Sequence, residues 1–212
     1  MRIPLWVEAS RLKVLVFGGG SVGTRRAALF VSAGAKVRIL AKSVSDEAKR
    51  LGVEVKEVDL WQYDPTSDID WADIVVIAVS DEKLAERLYS LAESRGKLIN
   101  DATNAERTHV VVPYERRVSG LRVAVTSEGA AGAPARMALD VIEGCIRASW
   151  IPTFFEVYSF AKAAAKRTIS DVRKRLAFYD AIVKDDVLMG LVKGGAVEEA
   201  KARAEEILKR YI

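Results

Sequence analysis

The stretch Val14-Leu15-Val16-Phe17-Gly18-Gly19-Gly20-Ser21-Val22-Gly23 decides the fold of this chain. Its apolar first half predicts a buried strand, its second half has the pattern G-x-G-x-x-G, and residues Thr24 to Ala33 predict a helix. A strand, a glycine-rich turn and a helix in this order form the context in which the pattern binds a dinucleotide.

Each glycine of the pattern is expected to have a different structural role. Gly18 lets the chain turn tightly, Gly20 lets the backbone approach a pyrophosphate, and Gly23 lets the helix pack against the strand. The N-terminus of the helix offers N–H groups and the positive end of its dipole to the phosphates. We therefore predict that Gly18, Gly20 and Gly23 bind a cofactor, the alternative being a glycine-rich turn that binds nothing.

Strands and helices alternate through the first half of the chain. The apolar run Ile74 to Val79 is continuous, as in a strand buried on both faces. The other predicted elements are strands at Lys13–Phe17, Ala35–Ala41, Val53–Val58 and from Leu98 onward, with helices at Ser45–Arg50 and Asp81–Arg95. The alternation predicts an α/β fold with a Rossmann-like, doubly wound parallel sheet.

The pattern changes after residue 100. Val110–Pro113 and Leu121–Thr126 predict two strands, joined by a turn at Ser119-Gly120. A helix is expected over Ala135–Ile146. From Thr153 onward the chain is predicted to be helical almost to its end, with one break at Gly194-Gly195.

Three parts follow from this layout. They are a Rossmann-like, dinucleotide-binding domain (1–108), a small strand-rich segment that could pair between subunits (109–148) and a helical C-terminal domain (149–212). The middle strands are too short to form an independent core, so we expect a second copy of the chain to complete them in a homodimer.

Composition limits the possible partners. The 33 basic and 29 acidic residues leave a net charge of +4, too small and too well mixed to indicate nucleic acid. No apolar run approaches the roughly 20 residues of a membrane span, and the N-terminal residues lack the apolar core of a signal peptide. The lone Cys145 fits a reducing cytoplasm, and its apolar neighbours predict a buried side chain.

The end of the second predicted strand bears on the choice of cofactor. Many NAD sites place Asp or Glu there, about 20 residues past the glycines, to bind the ribose. This chain has Leu40-Ala41-Lys42-Ser43 instead. Ser43 could bond the ribose, and Lys42 could touch a phosphate, as in an NADP site, or be simply solvated. These residues predict a dinucleotide more firmly than they choose between NAD and NADP.

The whole layout resembles the precorrin-2 dehydrogenase family, the N-terminal module of siroheme synthase. No single piece is specific, but the ordered set is, and it spans nearly the whole chain. The pieces are Pro4–Val7, Lys13–Val22, Arg25 and Arg26, Ala33–Val37, Ile77–Asp81, Asn100–Pro113, Val123–Gly129, Arg173–Tyr179 and Lys184–Asp186.

The resemblance implies an enzyme that oxidises precorrin-2 to sirohydrochlorin with NAD, in siroheme and porphyrin biosynthesis. Some members of the family also insert ferrous iron, so Fe²⁺ is a candidate substrate of a second, chelatase step. The cofactor contacts of the family fall here on Ser21, Val22, Lys42 and Ser43, and we add Ser80 after the fourth strand. The missing acidic residue is normal in this family and does not count against NAD.

The expected catalytic position departs from the family. Many relatives have Asp three residues after the Asn of the fifth strand, where this chain has Thr103. The nearest carboxylate, Asp101, lies two residues earlier and shares a strand face with that position. Asp101 is either a base or a partner of loop backbone, and Thr103 can form hydrogen bonds without being a base at neutral pH. Both are candidate catalytic residues.

A tetrapyrrole with many carboxylates calls for basic side chains around an open cleft. Arg117 and Arg136 are our candidates for binding it, with Ser127 at the position of a family serine. Each arginine can equally be a solvated surface charge. Other basic residues considered are Arg107, Arg116 and Arg173-Lys174-Arg175. The single His109, without cysteines or clustered carboxylates beside it, predicts no metal site.

Two other functions compete with this one. A non-enzymatic redox sensor built on an NAD(H)-binding Rossmann domain would need a DNA-binding or gating element, for which we see no pattern. A dehydrogenase for another small substrate fits the first half but leaves the middle strands and the helical tail unexplained.

Overall fold

The computed structural model describes residues 2–212, and the chain divides into two compact units. The first unit holds the chain up to Val112 together with Glu128–Ala130, and the second holds Pro113–Ser127 and Ala131–Ile212. The three-part division at residues 108 and 148 stays a prediction.

The first unit is built on a five-stranded sheet, in which every adjacent pair of strands is parallel. The strand order is β3-β2-β1-β4-β5. The strands are β1 (Lys13–Gly19), β2 (Lys36–Val44), β3 (Glu54–Glu57), β4 (Ile74–Ile77) and β5 (Leu98–Asp101), and the helices are α1 (Ser21–Ser32), α2 (Asp46–Lys49), α3 (Thr66–Trp71) and α4 (Glu82–Ser94). The predicted Rossmann-like parallel sheet is confirmed.

Apolar residues on both faces of the central strands explain why helices cover both faces of the sheet. Leu15 and Phe17 pack into one hydrophobic cluster with Leu88 of α4. Their neighbours Val14 and Val16 pack into another cluster, on the side of α1. Successive side chains of a strand point to opposite faces, so this run requires cover on both.

The strand order reverses between β1 and β4, the arrangement that opens a crevice at the carboxyl edge of such sheets. From β1 the chain passes outward through β2 and β3, then returns to the other side of β1 as β4. In such sheets the carboxyl ends of the two strands at the reversal, here β1 and β4, flank the usual ligand site.

The second unit combines a hairpin with a helical bundle. Its elements are β6 (Tyr114–Val118), β7 (Leu121–Val125), α5 (Gly132–Arg147), α6 (Ile151–Thr168), α7 (Val172–Lys184), α8 (Asp186–Lys193) and α9 (Val197–Leu208). Ser119 and Gly120 both have positive φ, 47° and 84°, as the tightest hairpin turns require. A side chain at Gly120 would overlap the ring of Phe155, so the glycine also lets α6 pack on the turn.

The observed elements differ from the predicted ones in three places. Val110–Pro113 is not a strand, and β6 begins only at Tyr114; the N–H groups of His109 and Val110 both donate to the carbonyl of Ile99, which ties this segment to β5 without a ladder. Helix α3 was not predicted. The helical tail breaks more than once, because Asp171 and Asp185 each cap a new helix.

Cys145 is exposed, contrary to the predicted buried position. It lies on a face of α5 that also exposes Met137, Val141 and Ile142. Within residues 2–212, no helix is long and apolar enough to cross a membrane.

Candidate active site

The glycine-rich turn closes tightly against the end of β4. Gly18 has a φ of 111°, and a side chain there would overlap the carbonyl of Ala78. A side chain at Gly23 would overlap the carbonyl of Gly18. These two positions therefore require glycine for the turn and for the packing of α1 on it.

Gly20 is different because a side chain there would meet nothing within 4 Å. It precedes the first residue of α1, which begins without a side-chain cap and without an acidic residue in its first turn. The first N–H groups of a helix have no partner within it and carry partial positive charge. Together with the exposed Ser21 and Val22, this end of α1 fits the pyrophosphate of a dinucleotide.

The end of β2 lies against the same turn. Gly19 is paired with Val44, and a side chain at Gly19 would overlap the carbonyl of Ser43. Ser43 is exposed, as is Lys42, whose ammonium lies 3.7 Å from the carboxylate of Asp59. The fold therefore places Lys42 and Ser43 beside the glycine-rich turn.

Ser80 is exposed between β4 and α4. Its neighbour Asp81 caps α4 by accepting hydrogen bonds from the N–H groups of Lys83 and Leu84. The hydrogen bond from Leu84 is the main reason why the pKa of Asp81 is lowered. The predicted cofactor residues thus come from β1, β2 and β4 at the same edge of the sheet.

Asp101, the last residue of β5, organises the loop that follows. Its side chain is fully buried, and Oδ1 accepts hydrogen bonds from the Thr103 N–H (2.8 Å), the Thr103 hydroxyl (2.6 Å) and the Asn104 N–H (3.2 Å). Oδ2 lies 3.0 Å from Nε of Arg107. The carboxylate is therefore enclosed by loop donors, while Thr103 remains exposed.

The side chain of Arg107 is held by several contacts within the first unit. Besides Asp101 it pairs with Glu86 of α4, and its guanidinium lies 5.6 Å from the ring centre of Tyr89. These contacts join the loop after β5 to α4. They leave Arg107 poorly suited to bind substrate carboxylates, a role considered for it from the sequence.

Thr108 and Asn100 close the base of the same loop. The buried hydroxyl of Thr108 accepts from the N–H of Asp101 and lies within hydrogen-bond distance of its carbonyl, and Asn100 donates to the carbonyl of Val110 at 2.7 Å. The loop that carries Thr103 is thus fixed at both ends.

Arg2 is a residue of this region that the sequence analysis missed. Its guanidinium donates to the carbonyls of Ala105 and Thr108 and pairs with Glu128 at 3.1 Å. The partners are 103 to 126 residues away in sequence, so no local pattern signals them.

The predicted substrate residues Ser127, Arg117 and Arg136 belong to the second unit. Both arginines are exposed, whereas Arg116 pairs with acidic residues of α5. The Ser127 hydroxyl accepts a hydrogen bond from the Ala131 N–H at 2.8 Å, which shapes the approach to α5.

His109 packs its ring edge-on near Tyr89, with 6.2 Å between ring centres. Within the described part of the chain, no group of three or more His, Cys, Asp and Glu side chains could hold a metal ion.

The parallel sheet, the crevice between β1 and β4 and the open glycine turn define a Rossmann-type dinucleotide-binding protein. Residues 5–114 match the model of the family described as "Putative NAD(P)-binding". The chain belongs to this family.

Curated relatives extend the similarity to nearly the whole chain. Siroheme synthase 1 of Serratia proteamaculans is 28% identical over 209 residues, covering 99% of this chain and 44% of the relative. Siroheme synthase of Ectopseudomonas mendocina is 30% identical over 210 residues, covering 97% and 44%. The predicted resemblance is confirmed, and the chain spans less than half the length of these relatives.

A solved structure named "SirC, precorrin-2 dehydrogenase" shares the fold. It aligns with 97% of this chain and 100% of its own length, with a TM-score of 0.73 and 19% sequence identity. The likeness extends through the helical tail, so the order of a Rossmann-like part, a hairpin and a helical region is common to both.

Proposed function

We propose that this protein is an NAD-dependent dehydrogenase that oxidises precorrin-2 to sirohydrochlorin. The observation that carries the proposal is the open space in front of Gly20, at the uncapped end of α1, beside the crevice between β1 and β4. Relatives named siroheme synthase and the fold of a structure named precorrin-2 dehydrogenase support the choice of substrate.

NAD is the favoured form of the cofactor. The carboxylate of Asp59 lies beside Lys42 at the end of β2, so the positive charge that would attract the extra phosphate of NADP is partly offset. In our proposal the first turn of α1, with Ser21 and Val22, binds the pyrophosphate. Lys42 and Ser43 bind a ribose, and Ser80 contacts the cofactor from the end of β4.

The protein's part in the reaction is to bind and orient. Bound NAD⁺ would supply the acceptor for the hydride that leaves the reduced tetrapyrrole, while the accompanying proton would pass to solvent. The rate of such a step depends on positioning. Asp101 holds Thr103, whose hydroxyl proton is directed at the carboxylate, so the Thr103 oxygen can accept a hydrogen bond from a pyrrole N–H. Ser127, Arg117 and Arg136 are proposed to bind the substrate and its carboxylates.

Ferrous iron insertion is a separate proposal, for which the site offers less support. A chelatase needs a group that takes protons from the pyrrole nitrogens, and the nearby Asp101 carboxylate is buried and already paired with Arg107. We therefore propose dehydrogenation as the main activity and treat Fe²⁺ as a substrate to be tested.

We also propose that the protein acts as a homodimer in the cytoplasm. The apolar face of α5 formed by Met137, Val141, Ile142 and Cys145 is exposed in one copy of the chain, and a second copy would cover it. The cytoplasmic location stays a prediction from the lone cysteine.

An anaerobic assay tests the proposed reaction. Purified protein is mixed with enzymatically made precorrin-2 and NAD⁺, the absorbance of sirohydrochlorin is followed, and ferrous iron is then added. Product that forms only with dinucleotide supports the dehydrogenase, and an iron-dependent shift faster than the uncatalysed control adds the chelatase. Cofactor binding without turnover would instead favour the redox sensor or another substrate.

A further inference from the structure

Trp61 is an exposed aromatic residue at the edge of the sheet that holds the candidate cofactor site. Its side chain is 49% exposed, and it lies in the turn that follows β3. The turn is firmly built, because the Trp61 N–H donates to the Asp59 carboxylate at 3.0 Å and the Tyr63 N–H donates to the Asp59 carbonyl at 2.8 Å. The backbone that carries the exposed indole is therefore well ordered.

Contacts with the hydrophobic core also fix the segment that carries Trp61. Leu60 is buried in the cluster that contains Phe17 and Leu88, and Arg87 of α4 donates to the Leu60 carbonyl at 2.5 Å. Before the turn, the Val58 N–H donates to the carbonyl of Ala41, which lies three residues before the end of β2. The segment thus runs from the end of β2 to α4.

The indole itself reaches the start of α4. Its Nε1–H donates to the Asp81 carboxylate at 3.2 Å, and Asp81 is the cap that follows Ser80. In the sheet, β2 and β1 lie between β3 and β4, so this contact shows that the segment after β3 returns across the carboxyl edge. Trp61 consequently lies between the end of β2 and the start of α4, on the border of the crevice.

We propose that Trp61 is the stacking platform for the purine base of the bound dinucleotide. Its N–H is already satisfied by Asp81, which fixes the ring, and about half of the residue's surface is exposed to a partner. An aromatic face binds any planar base by stacking, and the turn that carries Trp61 is joined to Lys42 through Asp59. Lys42 and Ser43 are the residues assigned to a ribose, which places a base within reach of the indole.

This inference rests on the proposed dinucleotide site, so its test separates the two halves of the cofactor. Calorimetry would measure binding of NAD⁺, AMP and nicotinamide mononucleotide to the wild type, Trp61→Ala and Trp61→Phe. Trp150→Ala, which removes an indole from the second unit, is the control. Circular dichroism would verify that each variant is folded.

We expect Trp61→Ala to weaken the binding of NAD⁺ and of AMP by about 10-fold each, which corresponds to about 1.4 kcal/mol of binding free energy. Nicotinamide mononucleotide should bind as before, and Trp61→Phe should lose less than about 3-fold because it keeps an aromatic face. Unchanged AMP binding in Trp61→Ala, or an equal loss for the mononucleotide, would overturn the inference. A wild type that binds neither NAD⁺ nor AMP would refute the dinucleotide site itself, and the stacking role with it.

Fluorescence gives a second measurement on a variant that is expected to fold. AMP stacked on Trp61 should quench part of the tryptophan emission of the wild type and none of the emission of Trp61→Phe. Equal quenching in the two proteins would contradict the stacking role even if the affinities differ.

Discussion

The hydroxyl of Thr103 donates to the buried carboxylate of Asp101 at 2.6 Å, and that carboxylate also lies 3.0 Å from Arg107. The relationship assigns different tasks to the two candidate catalytic residues. Asp101, with no exposed side-chain surface, orders the loop, and Thr103 is the member of the pair that a substrate can reach. Variants of the two residues should therefore fail in different ways.

Thr103→Val should lower kcat about 5-fold, the equivalent of one neutral hydrogen bond to substrate of about 1 kcal/mol. Tm should fall only modestly, because the variant removes one of the three hydrogen bonds that Oδ1 of Asp101 accepts. Thr103→Ser keeps the hydroxyl and serves as the control, with near wild-type turnover. Steady-state kinetics of precorrin-2 oxidation and thermal unfolding check both variants. A Thr103→Val enzyme with unchanged kcat would remove Thr103 from the site.

Asp101→Asn should impair both activity and stability, because it leaves the half-buried Arg107 with one carboxylate fewer. Loss of one partner of a buried ion pair costs about 3–5 kcal/mol, which a fall in Tm would report. If Asp101 is also a base, kcat of the folded enzyme should fall by far more than the change in Tm explains. The comparison of kcat with Tm in this one variant separates the two roles.

Gly20→Asp should abolish binding of NAD⁺ while leaving the fold intact. A side chain at Gly20 meets nothing within 4 Å, so the variant is tolerated, but it places bulk and negative charge where the pyrophosphate is expected. Gly18→Ala should show the opposite pattern of low stability, since φ is 111° and its Cβ overlaps the Ala78 carbonyl. Calorimetry with NAD⁺ and urea unfolding distinguish them; tight binding by Gly20→Asp would contradict the site.

The sequence predicted the features that depend on local patterns and missed those that depend on contacts between distant segments. The parallel sheet was predictable because the runs around Val16 and Val76 are apolar on both faces, and the turn because Gly18, Gly20 and Gly23 sit at a strand–helix junction. Helix α3 was missed because its buried Asp68 is stabilised by residues of β2 and β3, which no local window contains.

The loop after β5 was predictable only in part. The family resemblance identified the position of Thr103, and Asp101 followed as the nearest carboxylate. Whether Asp101 is a base or a partner of loop backbone stayed open. The ion pair with Arg107, six residues along, and the contact of Arg2 with Thr108 depend on how the loop closes. The exposed Cys145 was misjudged because an apolar helix face looks the same whether its own unit or another chain covers it.

Asp68 predicts how stability depends on pH. Burial opposes its charge, but hydrogen bonds from Lys56 and Tyr63 and the nearby Arg38 outweigh burial and lower its pKa. A carboxyl whose folded pKa lies below its unfolded value of about 3.9 stabilises the protein above that value. The contribution is lost as the pH falls through the lower, folded pKa.

Asp68→Asn should therefore cost about 3–5 kcal/mol at pH 7, because two cations lose their buried partner. The deficit should shrink as the pH is lowered below about 4, where the wild-type carboxyl also becomes neutral. Urea unfolding over this pH range measures both effects. The control is Asp70→Asn, since exposed pairs such as Asp70 with Arg95 contribute about 0–1 kcal/mol. Equal losses in the two variants would contradict the role of burial.

The exposed face of α5 predicts a dimer that can be dissociated by one charge. Val141→Glu places a carboxylate in the middle of the apolar face and should convert the dimer to a monomer in light scattering at micromolar concentration. Cys145, the lone cysteine, reports on the same face: it should react slowly with a maleimide in the wild type and rapidly in Val141→Glu. Glu198→Gln, on α9, is a control that should leave mass and labelling unchanged. A wild type that is monomeric, or a dimer whose Cys145 labels at the rate of the unfolded chain, would show that this face is not the interface.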